Sequence, residues 1–234
     1  MNTIGKLYTL TSFGESHGEA LGGVIDGCPA GFPLSVDEIQ YELDRRRPGQ
    51  SSVTTSRTEE DRVEILSGVF EGVTTGSPIG FIVRNKDQRS RDYDEIKDLF
   101  RPSHADYTMQ AKYGIRDYRG GGRSSAREHV VRVVGGAVAR QVLKRLGISV
   151  HGYTSQVGPI VLNKTYCELN LEETEANVVR CPDSMVAGEM ELFIRKMQEE
   201  QDSVGGVVSC VIRGVPVGVG EPVFDRFQAR LGYY

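Results

Sequence analysis

Three short segments place histidine or arginine among glycines or helix-capping residues, and each could bind an anion or move a proton. The first is GESHG at residues 14–18. Glycine lets the backbone approach a ligand closely, and the imidazole of His17 can exchange a proton near neutral pH. An isolated loop histidine is more often held by hydrogen bonds in a purely structural role. Position alone therefore leaves both interpretations of His17 open.

Ser16, next to this histidine, raises the alternative of a serine nucleophile. His17 takes the variable position of the GxSxG motif of hydrolases, but no strand followed by a long helix provides the context of a nucleophile elbow. A phosphate-ester hydrolase that uses Ser16 and His17 stays an alternative, which phosphate release without a cofactor would support.

The second segment is GGGRSSAR at residues 120–127. Its glycines allow close backbone approach, and the start of a following helix would offer unpaired N–H groups. Arg123 and Arg127 add planar donors suited to phosphate or carboxylate. The Walker A pattern GxxxxGK[ST] is absent. An ordinary capped helix is the alternative, but capping does not call for two arginines, so we favour an anion cradle.

The third segment is RPSHAD at residues 101–106. We expect Ser103 to cap a helix with Asp106 as its partner, which places His104 near a helix N-terminus. An imidazole there tends to be neutral unless an anionic ligand raises its pKa. His104 therefore suits an acid that depends on a bound ligand, whereas His129 and His151 are interpreted as structural.

Helices are needed to position these segments. Ser35 and Glu38 form a predicted capping box, and the helix they open should end at the PG pair of residues 48–49. Arginines 45–47 then lie on its last turn, where basic residues also simply complement the helix dipole. Ser125 and Glu128 predict a second capping box.

Further elements follow from hydrophobic spacing. A long helix should run from Ser125 to Gly147, and other helices should cover residues 93–113, broken at Pro102, and 184–201. Strands are predicted over residues 3–10, 20–26, 63–66, 78–83 and 206–217. Strands and helices do not alternate strictly, and no GxGxxG loop follows a strand, so the pattern favours an α+β fold. No linker or repeat divides the chain, and we expect one domain over residues 1–234.

Composition narrows the class of protein. With 28 Lys and Arg against 32 Asp and Glu, the net charge of −4 argues against a general nucleic-acid binder. Local arginine clusters instead suggest small anionic ligands. There is no run of about 20 apolar residues and no basic, then apolar, leader, so we expect no membrane partner and a cytoplasmic location. The four separated cysteines predict neither a zinc site nor a disulfide framework.

Several motifs resemble those of the chorismate synthase family, in the same order. They are FGESHG at residues 13–18, LDRRRPG at 43–49, ILSGVFEGVTTG at 65–76, FRPSHADY at 100–107, DYRGGGRSSAR at 117–127 and GVPVG at 214–218. Chance similarity over so many long motifs is implausible.

The resemblance implies β-sheet layers around helices, a homotetramer and reduced FMN as cofactor. It also implies a lyase of aromatic amino acid biosynthesis, which removes phosphate and a ring hydrogen from 5-enolpyruvylshikimate-3-phosphate to give chorismate without net redox change. By the same resemblance, His17 would act on the reduced flavin and His104 on the departing phosphate. The implied ligands of the phosphorylated dicarboxylate substrate are Arg46, Arg101 and Arg127. Those of FMN are Arg123, Ser124 and Ser125, and Arg46 is also a candidate contact for NADP if NADPH is the reductant.

Two features depart from the family pattern. Residues 50–53 hold no arginine where relatives often carry one, which makes Arg57 a candidate replacement. The chain stops at Tyr234 where family members continue, so we expect a C-terminal truncation, an incomplete FMN site and an uncovered strand over residues 207–217. A non-catalytic fragment that retains the anion-binding motifs is therefore the alternative function.

Overall fold

The computed structural model describes residues 1–47, 60–85 and 97–233. Contacts within the chain define two compact units, one formed by the described residues up to Val142 and one from Leu143 to Leu231. The single domain expected from the sequence stays a prediction. The PG pair at residues 48–49, the arginine-free residues 50–53 and Arg57 lie outside the described residues.

An antiparallel sheet organises the first unit. Its described strands are β1 (Thr3–Gly5), β2 (Thr9–Gly14), β3 (Ala20–Asp26), β4 (Val63–Ile65) and β7 (Ile79–Arg84), and a hairpin of β5 (Val69–Phe70) and β6 (Val73–Thr74) lies between the last two along the chain. The order across the sheet is β1-β2-β3-β7-β4. The strands predicted over residues 20–26, 63–66 and 78–83 are confirmed to within about a residue.

Along the chain, helix α1 (Val36–Arg46) lies between β3 and β4, and helices α2 (Asp106–Tyr113) and α3 (His129–Arg145) follow β7. Alternate residues of β7, namely Ile79, Phe81 and Val83, are fully buried because one face of the strand points into the core. They share one apolar cluster with residues of α1 and α3. Gly23 of β3 allows α3 to approach the sheet, since a Cβ atom there would lie 2.7 Å from both Phe81 and Val131.

The start of α1 is fixed from two directions. The backbone N–H of Glu38 donates to Ser35 Oγ at 3.2 Å, which confirms the predicted cap. Gln141 of α3 also exchanges two hydrogen bonds of 2.9 Å with the backbone of Ser35. Arg45 and Arg46 lie on the last turn as predicted, and Arg47 is the C-cap residue. The position of Arg46 is therefore determined by a well-anchored helix.

The second unit has its own sheet and core. Its elements are β8 (Ser149–Val157), β9 (Ile160–Val161), α4 (Ser184–Glu199) and β10 (Gly206–Arg213), and a short helix, α5 (Phe227–Tyr233), ends the described chain. The antiparallel strands take the order β10-β8-β9. Ala187 and Met190 of α4 pack into a cluster with Tyr153 and Val157 of β8. Helix α4 begins at Ser184 as predicted and ends two residues before Gln201.

β10 forms one edge of this sheet. Among the described residues its only strand partner is β8. The Val208 side chain is 75% exposed, and Val207 and Val217 are exposed as well. The strand is shorter than the predicted residues 206–217, because Gly214 turns the chain with φ +78° against the backbone of Gly147.

Two predictions of secondary structure are wrong. Residues 3–10 do not form one strand, because Gly5 adopts φ +95° and a turn separates β1 from β2. Of the two helices expected over residues 93–113, only α2 forms within residues 97–113, and residues 93–96 lie outside the described chain. Each unit nevertheless packs helices against an antiparallel sheet, which confirms the α+β class.

Within the described ranges, no helix has the length and apolar character that a membrane span requires.

Candidate functional site

His17 lies in the turn that connects β2 to β3. Both Ser16 and His17 are buried, and Ser16 Oγ lies 3.0 Å from His17 Nδ1. The turn is closed by a hydrogen bond of 3.1 Å from Gly18 N–H to the carbonyl of Glu15. A nucleophile must reach its substrate, and Ser16 is only 1% exposed, so this pair does not present a serine hydroxyl to a phosphate ester.

Gly120 brings His17 and Arg101 together. Its φ of +61° belongs to the left-handed region, and an added Cβ atom would overlap the imidazole of His17 at Nδ1. The Gly120 carbonyl accepts a 2.6 Å hydrogen bond from the Arg101 guanidinium. One backbone position thus holds a predicted catalytic histidine and a predicted substrate arginine next to each other.

Asp106 fixes the guanidinium of Arg101. The Arg101 Nε and NH2 groups donate to the two carboxylate oxygens at 2.8 and 2.9 Å, and the Arg101 backbone N–H donates to the same side chain. Arg116 adds a second positive charge at 3.6 Å. Hydrogen bonding from Arg101 lowers the pKa of Asp106 to about 2, so the carboxylate is charged at neutral pH.

These contacts show that the predicted capping pair of Ser103 and Asp106 is wrong. The N-cap of α2 is Ala105, which provides no side-chain cap, and Ser103 adopts φ +59°. Asp106 is the first helical residue, and its carboxylate binds Arg101 instead of Ser103. His104 lies on the exposed turn before α2, with Nδ1 3.0 Å from the carbonyl of Pro102. Its ring is therefore accessible near the start of the helix.

A buried carboxylate joins two other predicted substrate arginines. Asp61 Oδ2 lies 3.0 Å from Arg46 NH1, and Asp61 Oδ1 lies 2.9 Å from Arg127 NH1. Arg127 Nε also donates to the Asn85 side-chain oxygen at 2.5 Å. The Arg127 side chain is 5% exposed and that of Arg46 is 22% exposed. Of the two, Arg46 is the one that a ligand from solvent can reach.

The glycine-rich segment forms tight turns rather than the first turn of an α-helix. Two short 3₁₀ segments, Gly122–Ser124 and Ala126–Glu128, precede α3. Ser125 does cap the second of them, accepting from Arg127 N–H at 3.3 Å. The predicted partner Glu128 instead binds Arg132 at 2.9 Å. The N–H groups of Ser124 and Ser125 are used within the turn, by the carbonyls of Gly121 and Gly122.

Arg123 contacts β2. Its guanidinium donates to the Gly14 carbonyl at 3.0 Å, to Ser12 Oγ at 2.7 Å and to the side chain of Asn2 at 3.2 Å. Among the described residues these partners are all uncharged, whereas Arg101 and Arg127 each face a carboxylate. The positive charge of Arg123 is therefore the least compensated of the three, and the exposed Ser124 lies next to it.

The sequence analysis did not identify three polar residues of the site, Asp61, Asn85 and Asp117. It also did not identify Asp106 as the partner of an arginine. Asp117 binds Arg119 through both oxygens at 2.8 and 2.7 Å, and this bond, with a smaller contribution from His17, lowers its pKa. Asp61 and Asn85 lie beside segments that the fold brings together from distant parts of the chain. Their burial is the signal that identifies them, and burial becomes visible only in the folded structure.

The fold and the site define an α+β protein in which a buried histidine and an arginine meet at one glycine, and in which two further arginines pair with a buried carboxylate. A sequence model of the chorismate synthase family matches residues 8–234. The chain therefore belongs to the chorismate synthase family.

Known relatives agree with this assignment. The protein named chorismate synthase in Phocaeicola vulgatus is 62% identical over 99% of this chain, and the one in Christiangramia forsetii is 59% identical over 99%. A crystal structure of chorismate synthase superposes with a TM-score of 0.73 at 32% identity, covering 92% of this chain and 61% of that one. The chain spans 64% and 65% of the length of the two curated relatives.

Proposed function

We propose that the chain acts in the conversion of 5-enolpyruvylshikimate-3-phosphate to chorismate and inorganic phosphate by 1,4-elimination. The observation that carries the proposal is the meeting of His17 and Arg101 at Gly120. A proton-transfer group and a donor for anions then lie on either side of one backbone position. Family membership supplies the reaction, and this geometry supports it.

Arg46 and Arg101 are proposed to bind the phosphate and carboxylate groups of the substrate. Both guanidinium groups keep some exposure, and their internal carboxylate partners hold them in place before a ligand arrives. Arg127 was expected from the family resemblance to bind substrate directly as well. Its burial supports a role in which it orients Asp61, and through Asp61 the guanidinium of Arg46.

The two histidines are proposed to have different tasks because their surroundings differ. His104 is exposed near the start of α2, where it can donate a proton to a departing phosphate. His17 is buried against Gly120, where it can hold or move a proton at a cofactor ring.

The residues around Arg123 fit the phosphate of FMN. Arg123 keeps its positive charge among neutral partners, and the hydroxyls of Ser124 and Ser125 lie on the same turn. Because the N–H groups of these serines are used within the turn, the side chains provide the contacts. When bound, reduced FMN supplies transient electron donation that weakens the C–O bond, which no side chain can supply. NADPH is proposed as the reductant, with Arg46 as its contact.

The remaining proposals concern the whole protein. Relatives extend beyond the length covered here, so a complete FMN site is proposed to require chain that relatives possess in addition to residues 1–234. A homotetramer and a cytoplasmic location are proposed from family membership.

An anaerobic assay of chorismate formation with photoreduced FMN tests the proposed function. We expect turnover that depends on reduced flavin, measured on this chain and on a version extended with the C-terminal region of a relative. Chorismate from the extended chain alone would place the missing part of the site in that region. Binding of substrate without turnover in either version would support a non-catalytic anion-binding scaffold, and phosphate release without flavin would support a hydrolase.

A further inference from the structure

A nearly buried amide lies between the turn that carries His17 and the arginines described above. Asn85 directly follows β7 and is 8% exposed. Its side-chain NH₂ donates to the carbonyls of Glu15 and Gly18 at 3.1 and 2.8 Å. These two carbonyls flank His17 on either side along the chain.

The other half of the same amide contacts Arg127. The Asn85 side-chain oxygen accepts the 2.5 Å hydrogen bond from Arg127 Nε. Carbonyls on one side and a guanidinium donor on the other determine which end of the amide faces which way. The Asn85 backbone N–H also donates to the carbonyl of Glu19 at 3.0 Å, so both the backbone and the side chain hold the turn.

The contacts continue without a gap to α1. Arg127 binds Asp61, and Asp61 binds Arg46. Four side chains, Asn85, Arg127, Asp61 and Arg46, therefore form one series of polar contacts from the His17 turn to the partly exposed Arg46, in which the Arg127–Asp61 link is an ion pair and the other two are hydrogen bonds. Buried polar groups in such a series depend on each other, because a lost partner leaves the next group unsatisfied.

We propose that Asn85 is a positioning residue that couples the His17 turn to the Arg127, Asp61 and Arg46 side chains. It contacts neither ligand in this proposal. It sets the distance and orientation between the group that moves a proton and the group that binds an anion. The inference rests on the proposed function only for its kinetic consequence, since the coupling itself is a property of the protein without ligands.

Two variants of Asn85 distinguish loss of the donor half of the amide from loss of the whole amide. Asn85→Asp keeps an acceptor for Arg127 Nε but replaces the NH₂ donor with a second oxygen facing two carbonyls. Asn85→Ala removes both halves. Arg84→Gln is a matched control, because Arg84 is the preceding residue and forms an exposed ion pair with Glu64.

The primary measurement is NMR of the ring signals of His17 and the Nε–H signals of Arg127 and Arg46, with His151 as an internal reference. We expect Asn85→Asp to shift the His17 signals while Arg127 Nε–H stays protected from exchange with solvent. Asn85→Ala should change both sets, and Arg84→Gln should change neither. Unchanged His17 signals in both Asn85 variants would overturn the proposal, since the turn would then be held by its own bond from Gly18 to Glu15.

Kinetics supply a second readout under the assay of the proposed function. We expect Asn85→Asp to lower kcat about tenfold or more with KM changed less than about twofold, because anion binding is kept and the histidine is misplaced. A purely structural role would instead lower the fraction of active protein, with the NMR signals of the folded fraction unchanged. Absence of turnover in both the wild-type chain and its extended version would count against the proposed function, and the NMR result would still decide the coupling.

Discussion

The imidazole of His17 packs so closely on Gly120 that the space beside the Gly120 α-carbon holds no room for a methyl group. The same glycine accepts the Arg101 hydrogen bond through its carbonyl. Gly120, which has no side chain, therefore determines how closely His17 and Arg101 can approach each other. Close approach of the chain at this point is a requirement of the site.

Gly120→Ala should displace His17. The added methyl overlaps the imidazole, and the left-handed φ of +61° is unfavourable for alanine by about 1 kcal/mol. We expect shifted His17 NMR signals and at least about a tenfold loss of turnover. Gly136→Ala is the control, because nothing lies within 4 Å of its added Cβ and helix propensity favours alanine. Identical His17 signals in the Gly120 variant and the wild type would contradict the described packing.

His17→Ala and His104→Ala test proton transfer directly. If both groups take part, each variant should lower turnover by about a hundredfold or more while circular dichroism and the melting temperature stay close to the wild type. His151→Ala, at a position interpreted as structural, is the comparison. Rates like those of the wild type in both variants would remove the two histidines from the mechanism.

Arg123→Ala tests the proposed FMN contact. Loss of a charge-assisted hydrogen bond to the cofactor phosphate should weaken FMN binding by about 1.5–3 kcal/mol. Riboflavin lacks the phosphate, so its binding should hardly change. Arg123→Lys keeps the charge and controls for the lost contacts with β2. Fluorescence titration measures the binding of both compounds. Equal losses of affinity for FMN and riboflavin would show that Arg123 supports β2 and does not bind the phosphate.

The lowered pKa of Asp106 makes the free energy of unfolding depend on pH. Its pKa of about 2 in the folded protein lies below the ordinary value of 3.8, so its ion pair stabilises the fold above about pH 4. That contribution is lost as the pH falls from about 4 towards 2. After allowance for screening at the partly exposed Arg101, it amounts to about 1–2 kcal/mol. The difference in unfolding free energy between the wild type and Asp106→Asn should shrink over this range in urea titrations, and a constant difference would refute the assignment.

Asp61→Ala should strongly destabilise the fold. It leaves the buried Arg127 guanidinium without its carboxylate, which typically costs about 3–5 kcal/mol. Glu64→Gln removes one partner of the exposed pair with Arg84 and should cost less than about 1 kcal/mol. Denaturant unfolding of the two variants compares them directly. Similar small losses would mean that water or other groups compensate Arg127 when Asp61 is absent.

The local parts of the fold could be predicted because their signals lie within a few residues. Ser35 caps α1 through an N–H three residues away, and β3 covers the predicted residues 20–26, so each was readable from the sequence. The strand over residues 3–10 failed because Gly5 adopts a left-handed conformation, which the apolar and β-branched residues around it do not reveal.

The polar contacts of the site were less predictable. Ser103 and Asp106 have the spacing of a capping pair, but Arg101 and Arg116 offer the Asp106 carboxylate stronger, charged partners. Asn85 and Arg127 are 42 residues apart, and Asp61 and Arg127 are 66 residues apart, so no local pattern connects them. Motifs identified the segments that carry the site, whereas the carboxylates and the amide that orient its arginines required the fold.

Because β10 is an edge strand, the exchange rates of its backbone amides can show whether another strand pairs with it. In an antiparallel edge strand, every second N–H points away from the neighbouring strand and is bonded to water. Hydrogen–deuterium exchange along Gly206–Arg213 should therefore alternate between slow and fast amides, with the alternation shifted at the irregularity between Val207 and Val208. If another strand pairs with this edge, exchange will slow only at the amides of β10 that exchanged fast before. The change is measured residue by residue on this chain, so the partner needs no label.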